Sequence, residues 1–333
     1  MPVNKDLSIE TLRGIAILLV VSGYIVRSDI INGNPESSFT ASILKYFFYA
    51  ASYIRMPLFT AISGFLYASS PATSSTIKKL YLGKARRLLI PFFVVSTLQY
   101  VFFSLFPLSN SRPVLADIAW IYLFPYHQFW FIYAIFMIFL VVGALDALKA
   151  LDTPAKWAAC LAVALTLNFS LDFMGKNLLS IPGVNYLIPY FLLGYGLKRY
   201  SYLLFSGTAL RILGGLFILS FGAQQFMHFT HASLNFHGHR ILGAFVAFSV
   251  LPLLFYFKRP IPILAWLGGY AFCIHLFYLF GEGMSHLVFG GMFKSTPGFF
   301  LVCLSASIVL PIFAQELLEK SSVTRRLVLG QRA

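Results

Sequence analysis

RGIAILLVVSGY, Arg13 to Tyr24, is an apolar run that opens on an arginine and closes on a tyrosine. It sits inside a longer apolar stretch, 9–27, and about 20 such residues suffice to cross a bilayer as a helix. On an α-helix the step from Arg13 to Tyr24 covers roughly 16 Å and ends about 20° from full registration. The two side chains therefore share a face, with Arg13 near one membrane surface and Tyr24 deep in the apolar layer. An arginine at that level must face protein or water, or snorkel. Glu10, one helical turn before Arg13 on the same face, is the expected partner. A snorkelling arginine and an ordinary interior tyrosine would satisfy the same spacing.

Composition extends this reading to the whole chain. Of 333 residues, 59% are hydrophobic, 17% aromatic and only 11% charged, with a mean hydropathy of +0.79. Soluble domains carry about 25% charged residues, so this chain has too little polar surface to coat a globule. It is expected to be an all-α polytopic membrane protein, because in lipid a helix satisfies its own backbone polar groups. The formal charge of +14 does not indicate nucleic acid, since the basic residues lie in short clusters between apolar runs, as the flanks of membrane spans do. Cys160, Cys273 and Cys303 all lie inside apolar runs, with neither disulfide nor metal-ligand spacing. The long first apolar run, without a small-residue cleavage site, is expected to be a retained helix rather than a cleaved signal.

Ten spans are expected, at 9–27, 43–69, 87–107, 127–149, 156–173, 184–198, 209–227, 239–257, 262–281 and 297–318. A short interfacial helix near 116–124 would precede the fourth. Ten crossings put both termini on one side. With that side cytoplasmic, 18 of the 25 Lys and Arg residues fall inside, which obeys the positive-inside rule. One membrane-embedded domain is expected over 1–333, with a core of about 6–318 and a basic cytoplasmic tail, 319–333. The outer loop MHFTHASLNFHGHR, 227–240, carries four histidines, but their spacing fits no single helix face and carboxylates are absent, so a polar interfacial loop is the simpler reading.

The run ETLRGIAILLVVSGY, 10–24, resembles the opening of the membrane acyltransferase-3 family, which includes bacterial sugar O-acetyltransferases. That family shows an acidic residue, then LRG, then an apolar run ending in Gly-His. Further similarities follow in order: PLFTAISGFLY (57–67), KARRLLIPFF (84–93), HQFWFIYA (127–134), PYFLLGYGL (189–197) and YAFCIHLF (270–277). One departure matters: the family's Arg-x10-His reads here as Arg-x10-Tyr, with Tyr24 in the place of the proton-handling histidine. Tyrosine, with a reference pKa near 10, is a poor general base at neutral pH. Arg55, just before Met-Pro, is a second departure, where many relatives carry histidine.

The resemblance implies transfer of an acetyl group from cytosolic acetyl-CoA to a hydroxyl of a cell-surface glycan or lipid-linked sugar, in a bacterial cytoplasmic (inner) membrane. Membrane lipids and polysaccharide assembly proteins would be its partners, and no metal is implied. Lys84, Arg86 and Arg87, with Lys78 and Lys79, would receive the CoA phosphates, since arginine binds phosphate bidentately. The same cluster could instead be topogenic and attract anionic lipid. Catalytic candidates are Tyr24, Arg13, His127, Ser63 and Glu10. Ser63 and Gly64 could equally let helices approach closely, Trp130 could belong to an aromatic belt, and His275 is ionisable inside an apolar run. The Tyr24 departure leaves a second reading open, a non-catalytic relative that transports or binds a glycan precursor. An unrelated secondary transporter would show two matching halves with broken helices, and the sequence has no such internal symmetry.

Overall fold

The structure, a computed structural model, describes residues 6–32, 39–106, 114–172, 177–289 and 297–331. Five of the basic residues used for the charge asymmetry, Lys5, Arg112, Lys176, Lys294 and Arg332, lie outside the described residues. All regular structure among the described residues is helical, without strands. Its helices are α1 (Leu7–Asn32), α2 (Phe39–Ala50), α3 (Arg55–Tyr67), α4 (Ile77–Lys84), α5 (Ile90–Leu105), α6 (Phe129–Ala147), α7 (Pro154–Ser170) and α8 (Ile181–Arg199). After the short α9 (Ser201–Leu204) come α10 (Gly207–Thr230), α11 (Phe236–Tyr256), α12 (Pro262–Gly269), α13 (Ala271–Phe289), α14 (Pro297–Leu318) and α15 (Ser322–Leu327).

Eight helices among the described residues are long and apolar enough to cross a membrane: Leu7–Arg27, Ile77–Leu105, Phe129–Ala147, Leu178–Arg199, Gly207–Thr230, Phe236–Tyr256, Ala271–Phe289 and Gly298–Leu318. The other two expected spans take different forms. The fifth is α7, at 17 residues. The second, 43–69, is divided into α2 and α3 by a turn over 51–54. Pro57 accounts for the division, since it has no N–H to give and its ring clashes with the carbonyl four residues back. The ninth, 262–281, is likewise two pieces: α12 ends at Gly268–Gly269, and α13 runs on to Phe289. The interfacial helix expected near 116–124 is a 3-10 helix, Leu115–Tyr122.

Proline also shapes the third expected span. Pro91 has no N–H to donate to the Arg87 carbonyl four residues back, and the helix widens over Ala85–Leu89 into a π turn, with Ile90 N–H reaching the Ala85 carbonyl. The widened turn carries Arg86 and Arg87.

Packing divides into three apolar clusters. The largest joins α3, α6, α8 and α11 through residues such as Leu58, Ile62, Ile138, Phe191, Leu251 and Phe255. A second holds α1 against α13 and α14 through Ile17, Val21, Ile25, Ile274 and Phe299. A third packs α5 on α6 through Phe92, Val95, Phe129 and Ile132. On α10 the large exposed side chains are Ile212, Ile218, Leu219, Phe226 and Phe229, the lipid-facing pattern of a helix at the rim of a membrane bundle. The α3–α8 contact is the closest kind, because each helix presents a glycine to the other's backbone. A β-carbon on Gly64 would lie 2.0 Å from the Phe191 carbonyl oxygen, and one on Gly194 would lie 1.9 Å from that of Ala61. Gly64→Val and Gly194→Val should each cost about 1–3 kcal/mol through overpacking. Gly215→Ala, at a glycine with open space around it, should change stability by under about 0.5 kcal/mol. Unfolding in detergent measures both, and equal behaviour of the three variants would contradict the close α3–α8 contact.

Candidate functional site

Helix α1 ties together two polar regions. At its start, Arg13 Nη1 donates to Glu10 Oε1 at 2.9 Å, and Glu10 is buried. Opposite stands the π turn. The Lys84 ammonium lies 3.4 Å from the centre of the Phe139 ring, a cation–π contact, and Arg13 and Arg87 are the cations close enough to act on its charge. Arg87 is exposed, while the Nε of Arg86 is buried without a hydrogen-bond partner among the described residues. Outside them a groove of about 460 Å³ is lined by Ser75, Lys78, Lys79, Leu82, Gly83 and Arg86. Arg13, Lys84, Arg86 and Arg87 are therefore brought to one end of the bundle, as expected from their places in the sequence.

The C-terminal segment is docked near its end. Val328 and Leu329 are buried, Val328 in the cluster with Phe92 and Leu88. Gly330, in the left-handed region at φ 63°, leaves no room for a β-carbon against the backbone of Arg86 and Arg87. Hydrophobic residues at 327–329 were the signal for docking, and the neighbouring charges obscured it.

The second region lies around Tyr24. The Trp130 indole N–H donates to the Tyr24 hydroxyl at 3.1 Å, so Trp130 is turned inward and the aromatic-belt reading is corrected. The Tyr24 and Tyr278 ring centres are 5.4 Å apart. Tyr278 is fully buried and its hydroxyl has no hydrogen-bond partner among the described residues. His275, one turn earlier on α13, has its ring centre 6.3 Å from that of Tyr278 and 5.3 Å from that of Phe131. The Gln128 backbone hydrogen-bonds the His275 ring, and His275 Nε2 is buried with no hydrogen-bond partner among the described residues. Arg55 reaches in from the α2–α3 break, with its guanidinium carbon 4.3 Å from the Phe48 ring centre. It fills the place a side chain at Gly23 would need: a β-carbon there would lie 1.6 Å from Arg55 Nη1. Such a concentration of partly satisfied polar groups inside an apolar bundle is costly and marks a functional site by default.

Two expected site residues stand outside this cluster. His127 is exposed at the start of α6, its backbone left-handed at φ 46° and its ring against Tyr126 and Phe103. Ser63 Oγ donates to the Phe59 carbonyl of its own helix at 3.1 Å. Three of the four histidines of 227–240, a stretch that the structure divides between the end of α10 and the start of α11, find local partners: His239 Nδ1 lies 2.7 Å from the Tyr53 hydroxyl, His237 Nδ1 lies 2.7 Å from the Phe169 carbonyl, and the His228 ring centre lies 4.7 Å from that of Tyr49. Sequence reasoning had no place for Tyr278 or Gln128, since neither type stands out in an aromatic-rich chain.

Fold and site define a helical membrane protein with a basic end and a buried tyrosine–histidine–arginine cluster. Against known proteins, the sequence model of the acyltransferase-3 family, described as an acyltransferase domain, matches residues 6–315. The chain belongs to this family. It is 29% identical over 194 residues to "Nodulation protein NolL" of Mesorhizobium japonicum (strain LMG 29417 / CECT 9101 / MAFF 303099), covering 58% of this chain and 48% of the relative. It is 28% identical over 196 residues to the protein of the same name in Sinorhizobium fredii (strain NBRC 101917 / NGR234), with the same coverage. The chain thus aligns with about half the length of the curated relatives it matches. No solved structure matches.

The docked C-terminal segment gives a direct check of the basic end. Val328→Asp or Leu329→Asp should release it and speed tryptic cleavage after Arg325 and Arg326 several-fold, whereas Val323→Asp, at an exposed position, should leave the rate unchanged. Equal cleavage in all three variants would contradict docking.

Proposed function

We propose that this chain is a membrane O-acyltransferase that moves an acetyl group from cytosolic acetyl-CoA to a hydroxyl of a cell-surface glycan or lipid-linked sugar, in a bacterial cytoplasmic membrane. The observation that carries the proposal is the pairing along α1. Arg13 stands with Lys84 and Arg87, and Tyr24, on the same face about 16 Å on, stands with Trp130 and Tyr278. In this reading the chain crosses the membrane ten times with both termini inside. Arg86 and Arg87 take the CoA phosphates, and the thioester arm runs past Arg13 toward Tyr24.

The chemistry follows from the groups at the deep end. The acceptor hydroxyl oxygen attacks the thioester carbonyl carbon, the C–S bond breaks, and CoA leaves as its thiolate. Charge gathers on the carbonyl oxygen during attack, and the Tyr24 hydroxyl, itself receiving a hydrogen bond from Trp130, is placed to donate to it. Polarised donors of this kind supply the largest electrostatic share of acyl transfer. The hydroxyl proton passes to His275 Nε2, the basic nitrogen left open when the backbone of Gln128 binds the ring, and returns to the thiolate. His275 thereby takes the role that a histidine at position 24 plays in the family pattern.

Purified protein in nanodiscs should transfer radiolabelled acetyl from acetyl-CoA to a lipid-linked sugar. His275→Ala should lower kcat by about 10²–10⁴-fold, and Tyr24→Phe by about 10²–10³-fold. Arg86→Ala with Arg87→Ala should raise the CoA Kd about tenfold or more, from the loss of charged hydrogen bonds worth about 1.5–3 kcal/mol each. CoA binding without turnover on any acceptor would favour the second reading, a non-catalytic relative, which the tyrosine at position 24 keeps open. Unchanged CoA affinity in the double variant would return Arg86 and Arg87 to anchoring the helix.

A further inference from the structure

We infer that the acceptor is anionic, and that Arg55 holds its carboxylate or phosphate beside Tyr24. The inference rests on the acyl-transfer reading above and names the acceptor class for it.

A guanidinium inside an apolar bundle needs a counter-charge, because a buried cation without one loses its hydration and gains nothing in return. The described residues supply Arg13 and Lys258 with ion-pair partners, Glu10 and Asp6. Arg55 is in no ion pair and no hydrogen bond among the described residues, and its Nε is buried. Among the described residues, the groups that act most on its charge are three tyrosines, Tyr24, Tyr186 and Tyr278, and a second cation, Arg27. Its one cation–π contact, with Phe48, gives about 0.5–2 kcal/mol, less than the several kcal/mol that desolvating an ion costs. The cation is therefore held in place by packing rather than by charge. Gly23 leaves its side-chain space to the guanidinium, and the turn over 51–54 brings Arg55 to it.

A second arginine lies further along the same surface. Arg240, at the start of α11, sits 5.7 Å from the Tyr186 ring centre and 4.6 Å from that of Phe236. Arg55 and Arg240 both act on Tyr186. Arg240 is already served, by the Asn168 carbonyl at 3.2 Å and by the charge of Asp172. Arg55 is the member of the pair whose charge is left for a ligand. Arginine's forked donors match a carboxylate or a phosphate oxygen pair, and three tyrosine rings around it suit the apolar face of a sugar. An arginine serving only as an oxyanion donor would act on every acceptor alike, and the test separates the two.

Acceptors are compared in matched pairs: a hexuronic acid glycan against its methyl ester, and a polyprenyl-diphosphate-linked sugar against the same sugar free. The native protein should favour the acidic member of at least one pair by about tenfold or more in kcat/KM; the uronate pair reports a carboxylate and the diphosphate pair a phosphate. Arg55→Gln should remove that preference by raising KM for the acid at least about tenfold more than KM for the neutral acceptor, with CoA affinity unchanged, and Arg55→Lys should restore part of it. Gly23→Ala, which displaces the guanidinium but keeps the charge, should also erase the preference. Equal turnover of both members in the native protein, or an equal fall in kcat on both with Arg55→Gln, would overturn the inference while leaving acyl transfer standing. The same pairs are measured for binding by thermal shift. Acid-selective binding that is lost in Arg55→Gln, without turnover, would sink the acyl-transfer reading and leave the anion site; absence of any acid-selective binding would overturn the anion site independently.

Discussion

The register of the first helix is the constraint from which the rest of the arrangement follows. An α-helix returns to nearly the same face after eleven residues, so Arg13 and Tyr24 look the same way from two depths. Arg13 is locked by Glu10, and Tyr24 is locked by the Trp130 N–H. With α1 held against α12 and α13 by apolar packing, neither polar end can rotate toward lipid without carrying the other. Two distant regions are thus fixed in one alignment by a rigid rod, and that is the geometry a donor arriving from one side and an acceptor from the other would need.

The remaining elements adapt to that rod through breaks in regular structure. Pro91 opens the π turn that presents Arg86 and Arg87. Pro57 divides α2 from α3 and puts Arg55 beside Gly23. The division between α12 and α13 leaves α12 free to follow α1 while α13 carries His275 and Tyr278 inward. Irregular backbone in a membrane bundle is tolerated where protein or a cavity surrounds it; here the breaks at Pro57 and between α12 and α13 deliver charged or titratable side chains to the interior, and the π turn presents Arg86 and Arg87 at one end of the bundle.

Much of this was legible in the sequence. Apolar length and charge clustering gave the class of fold, and the spacing of Arg13 and Tyr24 gave the shared face. The order of short motifs pointed to the family. What stayed hidden depends on contacts between segments remote in the chain. The breaks inside 43–69 and 262–281 do not show in hydropathy, because both halves are equally apolar. Trp130 near a helix start looks like an interfacial anchor until its indole N–H is found on Tyr24. His127 looked apt as a proton handler by its place beside Trp130, but its left-handed backbone turns it to the exposed side. His275 was legible as an ionisable residue inside an apolar run, whereas Tyr278 is an unremarkable letter in an aromatic one, and only the absence of a partner for its hydroxyl among the described residues sets it apart.

The central claim is that one continuous path along α1 joins the basic end to Tyr24. Electron cryomicroscopy of the protein with a non-hydrolysable thioether analogue of acetyl-CoA tests it most directly. The nucleotide phosphates should lie on Arg86 and Arg87 and the acyl end against Tyr24, with the pantetheine arm passing Arg13. Density confined to the surface groove beside Lys78 and Lys79, with close-packed side chains between Arg13 and Tyr24, would contradict it.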